Sequence, residues 1–151
     1  MTTTTLAYAD LGSAAGTEFG PSEWRELTQE QVNTFADATD DHQWIHVDPE
    51  RAKDGPFGAP IAHGFLTLAL LIPMQTEVLD VEGVGTKVNY GLDRVRFVSP
   101  VRVGSRIRLS GTIAEVAEVS GGYQLTIDVT IEIDGSAKPA VAARSLQRFY
   151  A

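Results

Sequence analysis

PIAHGFLTLALLIPMQTEVL, running from Pro60 to Leu79, is apolar on nearly every side when wound as a helix. A helix with no polar face must be buried on most sides, so the rest of the chain has to wrap around it. Its apolar core, Ile61 to Met74, is interrupted by His63, Gly64, Thr67 and Pro73, and is too short to cross a bilayer. The helix is expected to begin near Pro60 or Ile61, since proline is well suited to a first helical position.

The chain beyond this helix has a different texture. The segments 84–101, 105–119, 122–134 and 140–150 alternate apolar and polar residues and are rich in Val, Ile, Thr and aromatics. Gly121-Gly122 and Asp134-Gly135 separate them as hairpin turns. Four consecutive antiparallel strands are expected. A buried helix followed by four long strands is an α+β pattern in which a sheet surrounds the helix. Upstream, Thr28 is a suitable N-cap, with Val32, Phe35, Ala36 and Thr39 at helical spacing behind it. Asp48-Pro49 has the cap-then-proline start of a further short helix. The threonine-rich first 15 residues are expected to fray.

The 151 residues are 43% hydrophobic and 21% charged, which fits one domain with a real core. The net charge of −8 argues against a nucleic-acid partner, because phosphate neutralisation needs surplus Lys and Arg. There is no cysteine, which removes thiolate chemistry and disulfides and suits a reducing compartment. The first 24 residues lack Lys and Arg, unlike a secretory leader. A cytoplasmic protein with no membrane partner is expected.

All three histidines lie between Ala38 and Leu66. Asp41 and His46 stand five apart with Trp44 and Ile45 between them. A carboxylate and an imidazole beside apolar neighbours can be tuned to hold and activate one water; a turn cap beside a half-buried histidine is the plainer reading. In the His63-Gly64 pair, a Gly64 amide in the first helical turn would lack an intrahelical acceptor. Such an N–H, reinforced by the helix dipole, suits a carbonyl oxygen; close packing on the sheet also explains the glycine. His42 and His46, with Asp37, Asp41, Asp48 and His63 nearby, raise the question of a metal. Ligands four apart converge only on a continuous helix, and Trp-Ile-His-Val-Asp-Pro reads as chain leaving one, so no metal is expected.

Lys87, Arg94, Arg96, Arg102, Arg106 and Arg108 supply half of the positive charge within 22 residues, against one acid, Asp93. They read either as the solvated face of a sheet or as a landing area for the phosphates of a small anion. No phosphate loop is present, and no serine has a neighbouring base.

Asp-His-Gln-Trp-Ile-His-Val-Asp-Pro, residues 41–49, followed by Phe-Gly-Ala-Pro-Ile-Ala-His-Gly-Phe-Leu, residues 57–66, resembles the MaoC-like dehydratases. Within that family it is similar to the (R)-specific enoyl-CoA hydratases, with their D-x-N-P-x-H-x-D-P motif and I-x-H-G helix start. It is also similar to a single-domain subgroup that includes nodulation protein N-like chains. The resemblance implies a hot-dog fold, a long central helix wrapped by a curved antiparallel sheet, as a homodimer with its site at the interface. It implies reversible hydration of a trans-2-enoyl thioester, of coenzyme A or an acyl carrier, to the (R)-3-hydroxyacyl product, with no cofactor. Asp41 and His46 take the catalytic positions and Gly64 that of the carbonyl-binding amide. Gln43 replaces the family's asparagine and Trp44 its proline, and Gln43 and His63 stand where water or substrate is positioned. Arg94, Arg96 and Arg106 become candidates for coenzyme A phosphates. Two other readings stay open: a thioesterase, for which the central helix offers only Glu77, and a non-catalytic acyl-thioester module or heterodimer subunit.

Overall fold

In the computed structural model, which describes all 151 residues, the chain runs through β1 (Thr4–Ala7), a 3₁₀ turn (Tyr8–Ser13), β2 (Glu18–Phe19) and β3 (Arg25–Glu26). The helices α1 (Gln29–Thr39), α2 (Trp44–Val47), α3 (Pro49–Ala52), α4 (Gly64–Ala69) and α5 (Leu71–Val78) come next. The strands β4 (Leu79–Glu82), β5 (Thr86–Phe97), β6 (Arg106–Val119), β7 (Gly122–Ile133) and β8 (Val141–Tyr150) complete the chain.

All four expected segments of the second half are strands, and in β8 the alternation is realised residue by residue. In β8, Val141, Ala143, Ser145, Gln147 and Phe149 are buried, while the residues between them are half-exposed. The sheet is antiparallel in the order β2-β6-β7-β8-β5, with β3 also on β6. Gly121 and Gly135 adopt φ of 81° and 76° in the two expected turns, a conformation that glycine reaches at little cost. The sheet curves around α4 and α5, the hot-dog arrangement. Leu66, Leu70, Met74 and Val78, spaced four apart, bury one stripe of the helical stretch against Ile107, Leu109, Ile113, Leu125, Ile127 and Ile131 of the sheet.

The central helix differs from the expectation in two ways. It begins at Gly64, with His63 as N-cap, and not near Pro60. The preceding residues are used elsewhere: Ile61 N–H donates to the Ile45 carbonyl, Ala62 N–H to Val101, and the Pro60 carbonyl accepts from Val103 N–H. The helix is also broken at Leu70 into α4 and α5. Pro73 has no N–H to give to Ala69, and its ring crowds that carbonyl.

The caps behave as expected: Thr28 Oγ1 accepts from Gln31 N–H and Asp48 Oδ1 from Arg51 N–H. The start of the chain does not lie as a free end. Thr4–Ala7 pairs in parallel with Leu79–Glu82, and Leu11 is wholly buried. This two-stranded piece, with β2 and β3, has too few residues for a period to show in sequence. No helix is long and apolar enough to cross a membrane.

Candidate active site

The site is assembled where α2 meets the extended segment before α4. Asp40 ends α1 in the left-handed conformation, φ 60°, and turns the chain so that Asp41 emerges at the surface. One short turn later α2 carries His46 into the interior, where it is 7% exposed. Gln29 ties the two helices together by donating from Nε2 to the His46 carbonyl (2.8 Å).

His46 Nδ1 lies 2.6 Å from the carbonyl oxygen of Ile61. A carbonyl only accepts, so this nitrogen carries the proton and Nε2 keeps a bare lone pair. Burial pushes the His46 imidazole below its ordinary value and His63 adds in the same direction; the Ile61 carbonyl and the Asp41 carboxylate pull the other way. The imidazole is thus held neutral, the form a proton acceptor needs.

His63 is almost fully buried and its ring stacks on that of His46, centroids 3.9 Å apart at 24°. Its Nε2 donates to the main-chain carbonyl of Asp41 (2.9 Å). One nitrogen or oxygen donor from each of Asp41, His46 and His63 lies within 4.8 Å of the other two. That spacing would suit a metal triad, but stacked rings direct their in-plane lone pairs side by side and not toward one ion about 2 Å away. His42, the other candidate imidazole ligand, points elsewhere and pairs with Asp37 at 2.9 Å.

Gly64 opens α4. The carbonyl four residues back, Pro60, is already taken by Val103, and the Gly64 N–H donates to no other group. Because α4 has only six residues, the free N–H itself is the asset and the dipole of a long helix is not. A cleft of about 230 Å³ is lined by both His46 and Gly64, with Ile61, Thr67, Phe97, Pro100 and Val141 among its walls. Phe97 belongs to no motif, and nothing in the sequence marks it as part of a site. Only its strand pairing with Val141, which puts both on the inner face, brings it here.

Asp41 and His63 stand beside His46 without lining this cleft, and other expected residues lie apart from it. Gln43 is the N-cap of α2; its carbonyl accepts from His46 N–H, while its exposed side chain makes no hydrogen bond. Trp44 packs over Gly55, where a Cβ would come within 2.9 Å of the indole, and under the Arg51 guanidinium at 4.3 Å. Arg94 and Arg96 pair with Arg144 and Ala142 on the outer face of the sheet, so the sheet stands between them and the cleft. Arg106 is on β6, with β7 and β8 between it and β5, and pairs with Asp134. Glu77, the only carboxylate offered to a thioesterase, is engaged by Arg25 at 2.7 Å and does not line the cleft.

The chain is similar to known proteins in both sequence and fold. The family described as MaoC like domain matches residues 10–133. The chain is 55% identical over 146 residues to 3-hydroxyacyl-thioester dehydratase Z of Mycobacterium tuberculosis, covering 96% of this chain and 97% of that protein. It is 47% identical to nodulation protein N of Rhizobium leguminosarum, covering 91% and 88%. In fold it superimposes on the (R)-hydratase of A. caviae involved in PHA biosynthesis with a TM-score of 0.72, at 23% identity, covering 88% of this chain and 94% of that one. The hot-dog fold, the sequence match across most of the chain and the similarity to these relatives lead to one assignment: this chain belongs to the MaoC-like dehydratase family.

Proposed function

We propose that this protein is a hydro-lyase that interconverts a trans-2-enoyl thioester and water with the (R)-3-hydroxyacyl thioester. The observation that carries the reading is one cleft reached by both His46 and the free Gly64 N–H, with the Asp41 carboxylate beside His46. The name of the 55% identical relative points to the same reaction class.

The thioester oxygen rests on Gly64 N–H. Enolate charge developing there in the transition state meets a donor already in place, which needs no reorganisation as the charge appears. Asp41 and His46 take a proton from the water as its oxygen attacks the β-carbon, and a proton returns to the α-carbon. The acyl chain runs along the apolar flank of α4 and α5, where Phe65, Leu68 and Ile72 line a groove of about 320 Å³ with Leu92 of β5. No cofactor has a step to perform in this scheme; coenzyme A or a carrier arm is part of the substrate.

The working form in this reading is a homodimer. β5 is a free edge of 12 residues, exposed almost throughout, with Val88, Tyr90, Leu92 and Phe97 uncovered beside the 69% exposed Phe65. A long apolar edge needs a partner strand, and a second copy related by a two-fold axis can cover it with its own β5.

The test is purified protein with crotonyl-CoA, followed by loss of absorbance of the conjugated thioester and by the chirality of the product. Hydration to the (R)-alcohol that disappears in the Asp41→Asn, His46→Gln double variant supports the reading. An unchanged rate in that variant, or thiol release without hydration, overturns it.

A further inference from the structure

One buried titratable group has no step in the hydration reaction: the second imidazole, His63. It occupies a slot between Phe35, ring centroid 4.8 Å away, and His46, 3.9 Å away. It is 2% exposed. Its Nε2–H is spent on the Asp41 carbonyl, and its Nδ1 is buried with no partner at all. A phenylalanine would fill the same slot without leaving a ring nitrogen unpaired in the interior, which costs stability. Packing alone therefore does not account for an imidazole here; the Nε2–H bond does.

That bond has a particular geometry. His63 is the N-cap of α4, one residue before Gly64, so it is fixed to the element that presents the free N–H. Through Nε2 it holds the main chain of Asp41, at the exposed end of α1 where nothing else does: no other hydrogen bond to Asp41 is made. Through its face it holds the His46 ring, whose own tether is the Ile61 carbonyl. We propose that His63 is a positioning residue that sets the Asp41 carboxylate and the His46 imidazole in register with the Gly64 amide, without itself exchanging a proton with substrate. The inference rests on the hydration reading and adds a third residue to it.

The charged and titratable groups facing the pair are Asp41 from the loop after α1, His46 from α2 and His63 from the start of α4. Misplacing a reacting group by about 1 Å can cost about 100-fold in rate, and this is the scale on which the experiment is read.

Three proteins are compared: wild type, His63→Phe and His63→Gln. His63→Phe keeps a ring between Phe35 and His46 but removes the donor; His63→Gln keeps an N–H donor on a flexible arm but removes the ring. Each is measured for thermal unfolding and for kcat and KM separately with crotonyl-CoA. The expected result is a kcat about 10- to 100-fold lower in His63→Phe, with KM within about twofold of wild type, and partial recovery of kcat in His63→Gln. A merely structural role moves the melting temperature and both kinetic constants together, with no recovery by glutamine. A His63→Phe protein that folds and keeps wild-type kcat overturns the proposal. If His63→Phe does not fold, His63→Gln decides alone: kcat lost with KM kept supports the proposal, and both unchanged overturn it. Wild-type turnover that depends on Asp41 and His46 is the internal control. Its absence sinks the hydration reading, and its presence with an indifferent His63 sinks only this inference.

Discussion

The ring of Phe97 packs on the Cα of Gly64 so closely that a Cβ at residue 64 would lie 3.1 Å from three of its carbons. Phe97 is 48% exposed and its ring meets Phe65 in a T-shaped contact, so it has room to yield. For Gly64→Ala the crowding falls on this half-exposed side chain and not on backbone, so the fold can absorb it. The expected outcome is a melting temperature within a few degrees of wild type and a kcat/KM for enoyl thioester hydration lowered about 10- to 100-fold, because the displaced ring enters the space the thioester needs. A variant with full activity would show that the Phe97 ring, once displaced, does not enter the space the thioester occupies.

Asp41→Asn and His46→Gln, made singly, should each lower hydration by about 10²–10⁴-fold, the range for loss of a general acid or base. Because the two act on one water, the double variant should be little worse than the poorer single one. Rates that multiply cleanly would mean that the residues work independently. His46→Gln also loses the bond to the Ile61 carbonyl, and thermal unfolding should register that loss while Asp41→Asn, at the surface, leaves stability nearly unchanged.

The pH dependence is set by the direction of the His46 shift. Its folded value is lowered from 6.5, mainly by burial, so below that pH the unfolded chain takes up the proton more readily than the native one. The stability that His46 contributes is complete above about 6.5 and is lost as pH falls through the unfolded value toward the folded one. The acid limb of the rate should likewise lie below 6.5, where the imidazole of the native enzyme protonates. Denaturant melts and initial rates between pH 5 and 8, in wild type and His46→Gln, measure both. A wild-type acid limb well above 6.5 would contradict the assignment.

Gln75 of α5 and Gln147 of β8 bond to each other in both directions, at 2.9 and 3.0 Å, inside the core, and Ser145 accepts a third bond at 3.3 Å. Gln147→Leu alone strands the Gln75 amide and should cost about 1–3 kcal/mol. Replacing both, as Gln75→Met with Gln147→Leu, removes the orphan and should recover most of that loss. Denaturant midpoints across the cycle test it, with additive losses as the contrary result.

Leu92→Glu places a charge on the free β5 edge beside Phe65 and Ile72. The variant should run as a monomer in sedimentation equilibrium where wild type runs as a dimer, with the fold of each protomer kept. A wild-type monomer would remove the homodimer from the proposal.

The type of each long element is legible in the order of residues, because helix and strand periods are local properties: the helical apolar stretch before Leu79, the strands β5 to β8 and the caps at Thr28 and Asp48 are all realised. The residues proposed for the site, Asp41, His46 and Gly64, stand out in sequence because they sit in short motifs. The tertiary structure decides how they meet. The helix starts at Gly64 because the Pro60, Ile61 and Ala62 backbone groups bond to Val103, Ile45 and Val101, partners that no period encodes. Arg94 and Arg96 fall on the outer face and Phe97 on the inner because sheet register assigns alternate residues to opposite sides. The stacking of His63 on His46, and its hold on Asp41, arise only when the end of α1, α2 and the start of α4 are packed together. Sequence names the groups; distance and direction between segments far apart along the chain are set by the packing of the whole, and it is those that turn three polar residues into a site.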